Sequence, residues 1–283
     1  MDGRRKKILI VLLAMALVIA GYFIFQRWVY IETDNAQIEA HSVMIAAKVS
    51  GYVSGVKVNE GDKVHKGDIL VEIDERDYKN TLDQVKGDLT SIQARMAEAE
   101  KNFQRISELY KKGAVSQQQF DSSTSAFSDM KAKNDAIAAQ VAQAQLNLEN
   151  TKVKAPSDGF VAKRAVEEGQ LASPGVPLIG FVDADSRWVV ANYKETEIED
   201  IRVGAKAEIS IDAISRRDYK GHVESISSAT GATFTLLPPD NATGNFTKVV
   251  QRVPVKIIFE DLSEKDVEDL RAGLSALVKV HRH

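Results

Sequence analysis

Along the chain the apolar residues change period three times, and each change marks a new kind of element. From Ile8 to Phe25 they form an uncharged run, ILIVLLAMALVIAGYFIF, whose eighteen residues cover roughly 27 Å as a helix, close to the hydrocarbon thickness of a bilayer. From Ile31 the spacing shortens to alternation punctuated by glycine, as in Ile69-Leu70-Val71-Glu72-Ile73, and predicts short strands. Between Tyr78 and Leu148 it lengthens to steps of three and four, the mark of a helical seam. After Thr151 the alternation returns and continues to Val280.

The opening run is flanked by Arg4-Arg5-Lys6-Lys7 on one side and by Arg27 alone on the other, so the positive-inside rule puts the N-terminus in the cytoplasm. Trp28 and Tyr30 suit the far interface. A cleaved signal peptide is the competing reading, but its apolar region is shorter and ends at small residues, which Gly21-Tyr22-Phe23 does not supply. The expectation is an uncleaved single-pass anchor in the inner membrane, with the bulk of the chain periplasmic.

The alternating segments on either side of the seam repeat one another. A shift of 108 positions lays residues 47–70 over 155–178 with eight identities in 24 positions, where composition alone gives about one or two. Gly51, Gly61 and Gly67 meet Gly159, Gly169 and Gly175, and these six are read as the structural turns of the two copies. The copies resemble the halves of a lipoyl or biotinyl carrier domain, a small closed sandwich, here split by the helical segment.

That segment predicts an antiparallel hairpin. The first seam runs through Tyr78, Leu82, Val85, Leu89, Ile92, Met96, Ala99, Phe103, Ile106 and Tyr110; the second through Phe120, Phe127, Met130, Asn134, Ile137, Val141, Ala144 and Leu148. Lys111-Lys112-Gly113 reads as the first helix's stop, and Ser116 with Gln119 as a capping box for the second. Arms of about 33 residues project roughly 50 Å.

Strands are predicted over 187–192, 207–211, 222–226, 253–258 and 277–280, and a small β-barrel accommodates them, with a strand lent from residues 30–46. Residues 234–247 read as a long polar loop. The fold class is multidomain α+β: an N-terminal transmembrane helix, a split lipoyl-like β-sandwich interrupted by an antiparallel coiled-coil hairpin, and a C-terminal β-barrel. The expected divisions are a cytoplasmic start (1–7), the transmembrane helix (8–28), a linker and barrel strand (29–46), the first lipoyl-like half (47–73), the hairpin (74–151), the second half (152–183) and the barrel (184–283).

Composition narrows the chemistry. A net charge of −3 over 283 residues, with no basic patch interleaved with aromatics, disfavours nucleic acid. With no cysteine there are no disulfides, thiolate metal sites or thiol nucleophiles. The five histidines show no ligand spacing, and no phosphate loop, nucleophile elbow or HExxH motif is present, so neither cofactor nor metal nor enzymatic activity is expected. A biotinylated or lipoylated carrier subunit is disfavoured because the turn that would carry its lysine is replaced by the hairpin.

Anchor, split halves, inserted coil and terminal barrel, in this order, resemble the HlyD-type membrane fusion proteins over essentially the whole chain. Val189-Val190-Ala191-Asn192-Tyr193-Lys194-Glu195-Thr196 and the stretch from Leu236-Leu237-Pro238-Pro239 to Val255 are similar to the EmrA branch. This resemblance implies an adaptor for a major facilitator drug transporter of the inner membrane and a TolC-like outer-membrane channel, self-associated as a ring, by analogy a hexamer. Adaptors driven by an ABC transporter are the alternative, usually with longer coils and without the Pro-Pro loop. The resemblance also assigns channel docking to Arg105, Leu109 and Ser116, which match the spacing of an Arg, a Leu four residues on and a Ser seven further on. Leu109 lies outside the seam positions and is expected to be exposed on the hairpin flank beside Arg105.

Overall fold

The computed structural model describes residues 28–214, 217–230, 233 and 250–282, with positions 13 and 15. The proposed anchor, apart from positions 13, 15 and 28, and the loop at 234–247 lie outside the described residues. Among the described residues no helix is long and apolar enough to cross a membrane. The first strands are β1 (Tyr30–Glu39), β2 (Ser42–Ala46), β3 (Gly51–Val56), β4 (Lys63–Val64) and β5 (Ile69–Ile73). Two helices follow, α1 (Arg76–Lys111) and α2 (Gln117–Glu149), then β6 (Lys152–Lys154), β7 (Gly159–Arg164), β8 (Leu171–Ala172) and β9 (Pro177–Asp183). The last part holds β10 (Trp188–Lys194), a 3-10 turn (Ile198–Asp200), β11 (Lys206–Ile211), β12 (Asp218–Ile226), β13 (Arg252–Phe259), α3 (Glu264–Asp269) and β14 (Ser275–His281). These elements form two compact units, one of Ser42–Phe181 and one of the residues before and after it.

The first unit contains the repeat. One sheet has the order β2-β9-β7-β4 and the other β6-β5-β3-β8, so a shift of 108 positions converts either order into the other. Each sheet therefore mixes strands of both halves, and neither half makes a sheet by itself. The turns enforce this exchange. Gly61 donates its amide to Val161 O at 2.8 Å while Gly169 donates to Val53 O at 2.8 Å; Gly67 reaches Ala155 O at 2.9 Å while Gly175 reaches Ala47 O at 3.0 Å. All four have left-handed φ between +82° and +92°, a region that side chains with a Cβ enter only under strain.

Gly51 and Gly159 do something else. Rather than forming turns, they open β3 and β7. Gly51 is required by close approach, since a Cβ there would lie 2.6 Å from Ile73 Cγ2. The core between the sheets is correspondingly repetitive: Val53 with Val161, Val58 with Val166, Leu70 with Leu178, Val71 with Ile179 and Ile73 with Phe181, all buried.

The other unit is a closed six-stranded barrel of order β1-β10-β13-β12-β11-β14. Its N-terminal strand is β1 alone; Ser42–Ala46 forms β2 of the sandwich instead of continuing the barrel, so the boundary falls at His41 rather than Ala46. β1 alternates whereas β2 is a continuous apolar run, Val43-Met44-Ile45-Ala46, and neither pattern by itself says which sheet the strand joins. Ile38, Val189, Ala191, Tyr193, Ile209, Val223, Val255, Ile257, Val278 and Val280 fill the interior without exposure. Burial pushes the Tyr193 phenol far above its usual pKa, and its hydroxyl donates to Val278 O at 3.4 Å.

Beside the barrel α3 is held by a full capping box. Ser263 accepts the Asp266 amide at 3.3 Å, and its own amide and hydroxyl donate to Asp266 Oδ2 at 2.9 and 2.6 Å. Arg217 and the Tyr219 hydroxyl reach Oδ1 of the same carboxylate. Arg187, read as the start of a strand, lies just before β10 and is buried. Its Nε donates to Leu270 O at 2.9 Å and its Nη1 to the carbonyls of Asp183 and Ser186, so burial without a strong ion pair lowers its pKa.

Candidate functional site: the hairpin and its tip

The hairpin grows out of the sandwich where the carrier-type turn would be. Ile73 N donates to Thr151 O at 2.8 Å across its base, Tyr78 donates its hydroxyl to Ser50 O at 2.6 Å, and Lys152 pairs with Glu75 at 3.3 Å. At the same place the Arg76 guanidinium, bonded to Asp74, holds that half-buried carboxyl down at about 2. From there α1 and α2 run for 36 and 33 residues, so the arms are about 54 and 50 Å long.

The seam positions other than Tyr110 are buried or half-buried, most deeply at Leu82, Ile92, Ile106 and Ala144. Two features of the seam depart from a plain apolar stripe. Ser123, absent from the apolar reading because it is polar, is buried one turn from Phe120 and satisfies its hydroxyl on Phe120 O at 2.8 Å. The same end of the seam carries an aromatic ladder: Tyr110 stacks on Phe120 at 4.8 Å, and Phe103 meets Phe120 at 6.0 Å and Phe127 at 5.6 Å. Asn134 also lies in the seam, and its Oδ1 is buried without a hydrogen-bond partner.

At the tip α1 stops in a Schellman motif. Gly113, at φ +71°, donates to Tyr110 O at 2.9 Å, and Ala114 donates to Leu109 O at 2.9 Å. Ser116 then caps α2, accepting the Gln119 amide at 3.3 Å. Only half of the expected capping box is made: among the described residues the Gln119 side chain returns no bond to Ser116.

The three residues assigned to docking thus sit within the last turns of α1 and the first residue before α2. Arg105 is exposed and has no ion-pair partner among the described residues. Ser116 is exposed at the cap. Leu109 is half-buried rather than fully exposed on the flank, and its carbonyl accepts the Ala114 amide of the Schellman turn. Tyr110, read as a seam position, is more exposed although its ring stacks on Phe120. Among the described residues no three His, Cys, Asp or Glu side chains converge as a metal site would require.

A sandwich made of two interleaved halves, a helical hairpin inserted between them, and a barrel that takes strands from both sides of that insertion is the architecture of membrane fusion proteins. The comparisons agree. Residues 41–182 match the barrel-sandwich hybrid domain of the RND membrane fusion proteins, and residues 186–281 match the AAEA-like β-barrel domain. The multidrug export protein EmrA of Haemophilus influenzae is 33% identical over 319 aligned positions, covering 96% of this chain and 82% of that protein. Among solved structures, MacA of Actinobacillus actinomycetemcomitans superposes with a TM-score of 0.60 at 24% identity, over 90% of this chain and 80% of that one. The periplasmic adaptor protein EmrA gives 0.50 at 18%, over 90% and 99%; both show the shared fold. The chain belongs to the membrane fusion protein family of efflux systems, in the branch of the EmrA multidrug export proteins.

Proposed function

We propose that the chain is the periplasmic adaptor of a tripartite multidrug efflux pump, anchored in the inner membrane by residues 8–28 with its N-terminus cytoplasmic. In this reading it joins a major facilitator drug transporter to a TolC-like outer-membrane channel, and several copies, by analogy six, assemble as a ring. The observation that carries the reading is the hairpin: two arms of 36 and 33 residues, tied down at the sandwich, that bring Arg105 and Ser116 to one exposed tip. Its work is mechanical. The sandwich fixes the base, the aromatic ladder stiffens the far end, and the transporter supplies the energy. The Pro-Pro loop at 234–247, outside the described residues, supports a facilitator-type transporter on sequence grounds alone.

The test is recovery of the tagged chain from membranes after mild crosslinking. A major facilitator transporter and an outer-membrane channel should come with it. Recovery of an ABC transporter in place of the facilitator would overturn the choice of pump.

A further inference from the structure

The register of the barrel brings three chain segments to one rim. Tyr30, the first residue of β1, pairs with His281, and the neighbouring Val280 pairs with Ala207 of β11. Arg282 donates its amide to Val29 O at 2.8 Å, and its guanidinium meets Asp200 at 3.2 Å. Trp28, Arg282 and the turn that leads into β11 therefore leave the barrel at the same rim.

That turn is well defined. Ala205 donates to Arg202 O at 3.1 Å and Gly204 has φ +86°, the pattern of a type II turn, so Val203 is carried at the apex. Ile201, just before it, is buried in the barrel core and anchors the turn. Val203 itself is 64% exposed and Trp28 is 73% exposed. Arg202 and Lys206 flank the apex, both exposed and without ion pairs among the described residues. Of the rim's carboxylates, Asp200 is paired with Arg282 and Glu197 with Lys194 at 3.8 Å, which leaves Glu195 and Glu199 exposed beside the turn.

Chain length then limits how far this rim can be from a bilayer. Five Cα steps separate Phe25, the end of the apolar run, from Tyr30, and an extended chain covers at most about 18 Å in five steps. We infer that the rim is a membrane contact: the Val203 turn dips into the interfacial layer of the outer leaflet beside Trp28, with Arg202 and Lys206 meeting lipid phosphates. An apolar apex between two cations suits an interface in which the side chain enters the acyl boundary and the charges stay with the headgroups. This inference rests on the proposed membrane anchor at residues 8–28, with its apolar run ending at Phe25.

The absence of cysteine makes the test direct. The full chain carrying Val203→Cys, and separately Lys265→Cys at the opposite rim, is labelled with an environment-sensitive fluorophore. Each is reconstituted in phosphatidylethanolamine and phosphatidylglycerol vesicles that contain a nitroxide lipid. The label at 203 should be quenched several-fold more strongly by the nitroxide than the label at 265, and less by aqueous iodide. Equal aqueous quenching at both positions, in protein that resists alkaline extraction, overturns the lipid contact while leaving the anchor standing. The turn would then be free for another protein. Protein released by alkali overturns both.

Discussion

Gly169 donates its amide to the carbonyl of Val53, and Gly61, 108 positions earlier, makes the equivalent bond to Val161 at the same 2.8 Å. Each half of the sandwich is thus clamped by a turn that belongs to the other. No atom lies within 4 Å of where a Cβ would be at either glycine, so an alanine there would suffer only from its left-handed backbone. Gly61→Ala and Gly169→Ala should each destabilise the sandwich by about 1–2 kcal/mol, and by similar amounts. Urea titration measures this; a Gly169→Ala chain as stable as the parent would show that the turn can relax.

Asn134 Oδ1 is buried in the hairpin seam without a partner, and an unsatisfied acceptor there is unfavourable by about 1–3 kcal/mol. Asn134→Leu should therefore raise the hairpin's thermal stability, followed as helical signal on heating. If polar seam residues set the alignment of the two arms, the gain comes with looser register. A less stable Asn134→Leu chain would mean that Asn134 is satisfied in solution.

The Asp266 carboxylate is held below its ordinary value of 3.8, first by the Ser263 hydroxyl and then by the Ser263 amide, Arg217 and the Tyr219 hydroxyl, while burial opposes them. A depressed folded-state pKa contributes stability that is present above the unfolded value and is lost as pH falls through the folded one. Asp266→Asn should destabilise the barrel by about 1–3 kcal/mol at neutral pH and flatten the decline of its stability below about pH 4. Parallel melting curves of parent and variant from pH 7 to pH 3 check both statements, and identical slopes would remove the linkage.

The repeat was legible because its turns need glycine and its strands need alternation, and both demands recur at one offset. The same logic did not separate Gly51 and Gly159 from true turn glycines: one needs an empty Cβ position against Ile73, which only the packed structure reveals. The strand lent to the barrel was legible at Tyr30–Glu39, but the apolar run of β2 names no partner, and only pairing with β9 assigns it to the sandwich. In the hairpin the apolar seam was plain. Ser123 was not, since a pattern of apolar spacing passes over a polar residue whose hydroxyl is satisfied on its own helix's backbone. Leu109 is less exposed than its place outside the seam suggests, since heptad position alone does not show how deep a flank residue sits.

Ser116 has two roles to separate, since it caps α2 and stands where the family resemblance puts a docking contact. Ser116→Ala removes the acceptor for the Gln119 amide and should destabilise the tip by about 1 kcal/mol, so lost drug resistance in that variant would be ambiguous. Ser116→Asp keeps an equally good cap and adds a negative charge favourable at a helix N-terminus, so the hairpin should be at least as stable as the parent. If Ser116 docks to a channel through its small hydroxyl, resistance in cells lacking the native adaptor should nevertheless fall. Arg105→Glu makes the cleaner companion. Arg105 is exposed and without an ion pair among the described residues, so reversal of its charge should leave helical signal and melting unchanged while resistance falls to the level of cells without the adaptor. Full resistance in both Ser116→Asp and Arg105→Glu would remove the docking assignment and leave Ser116 as a helix cap alone.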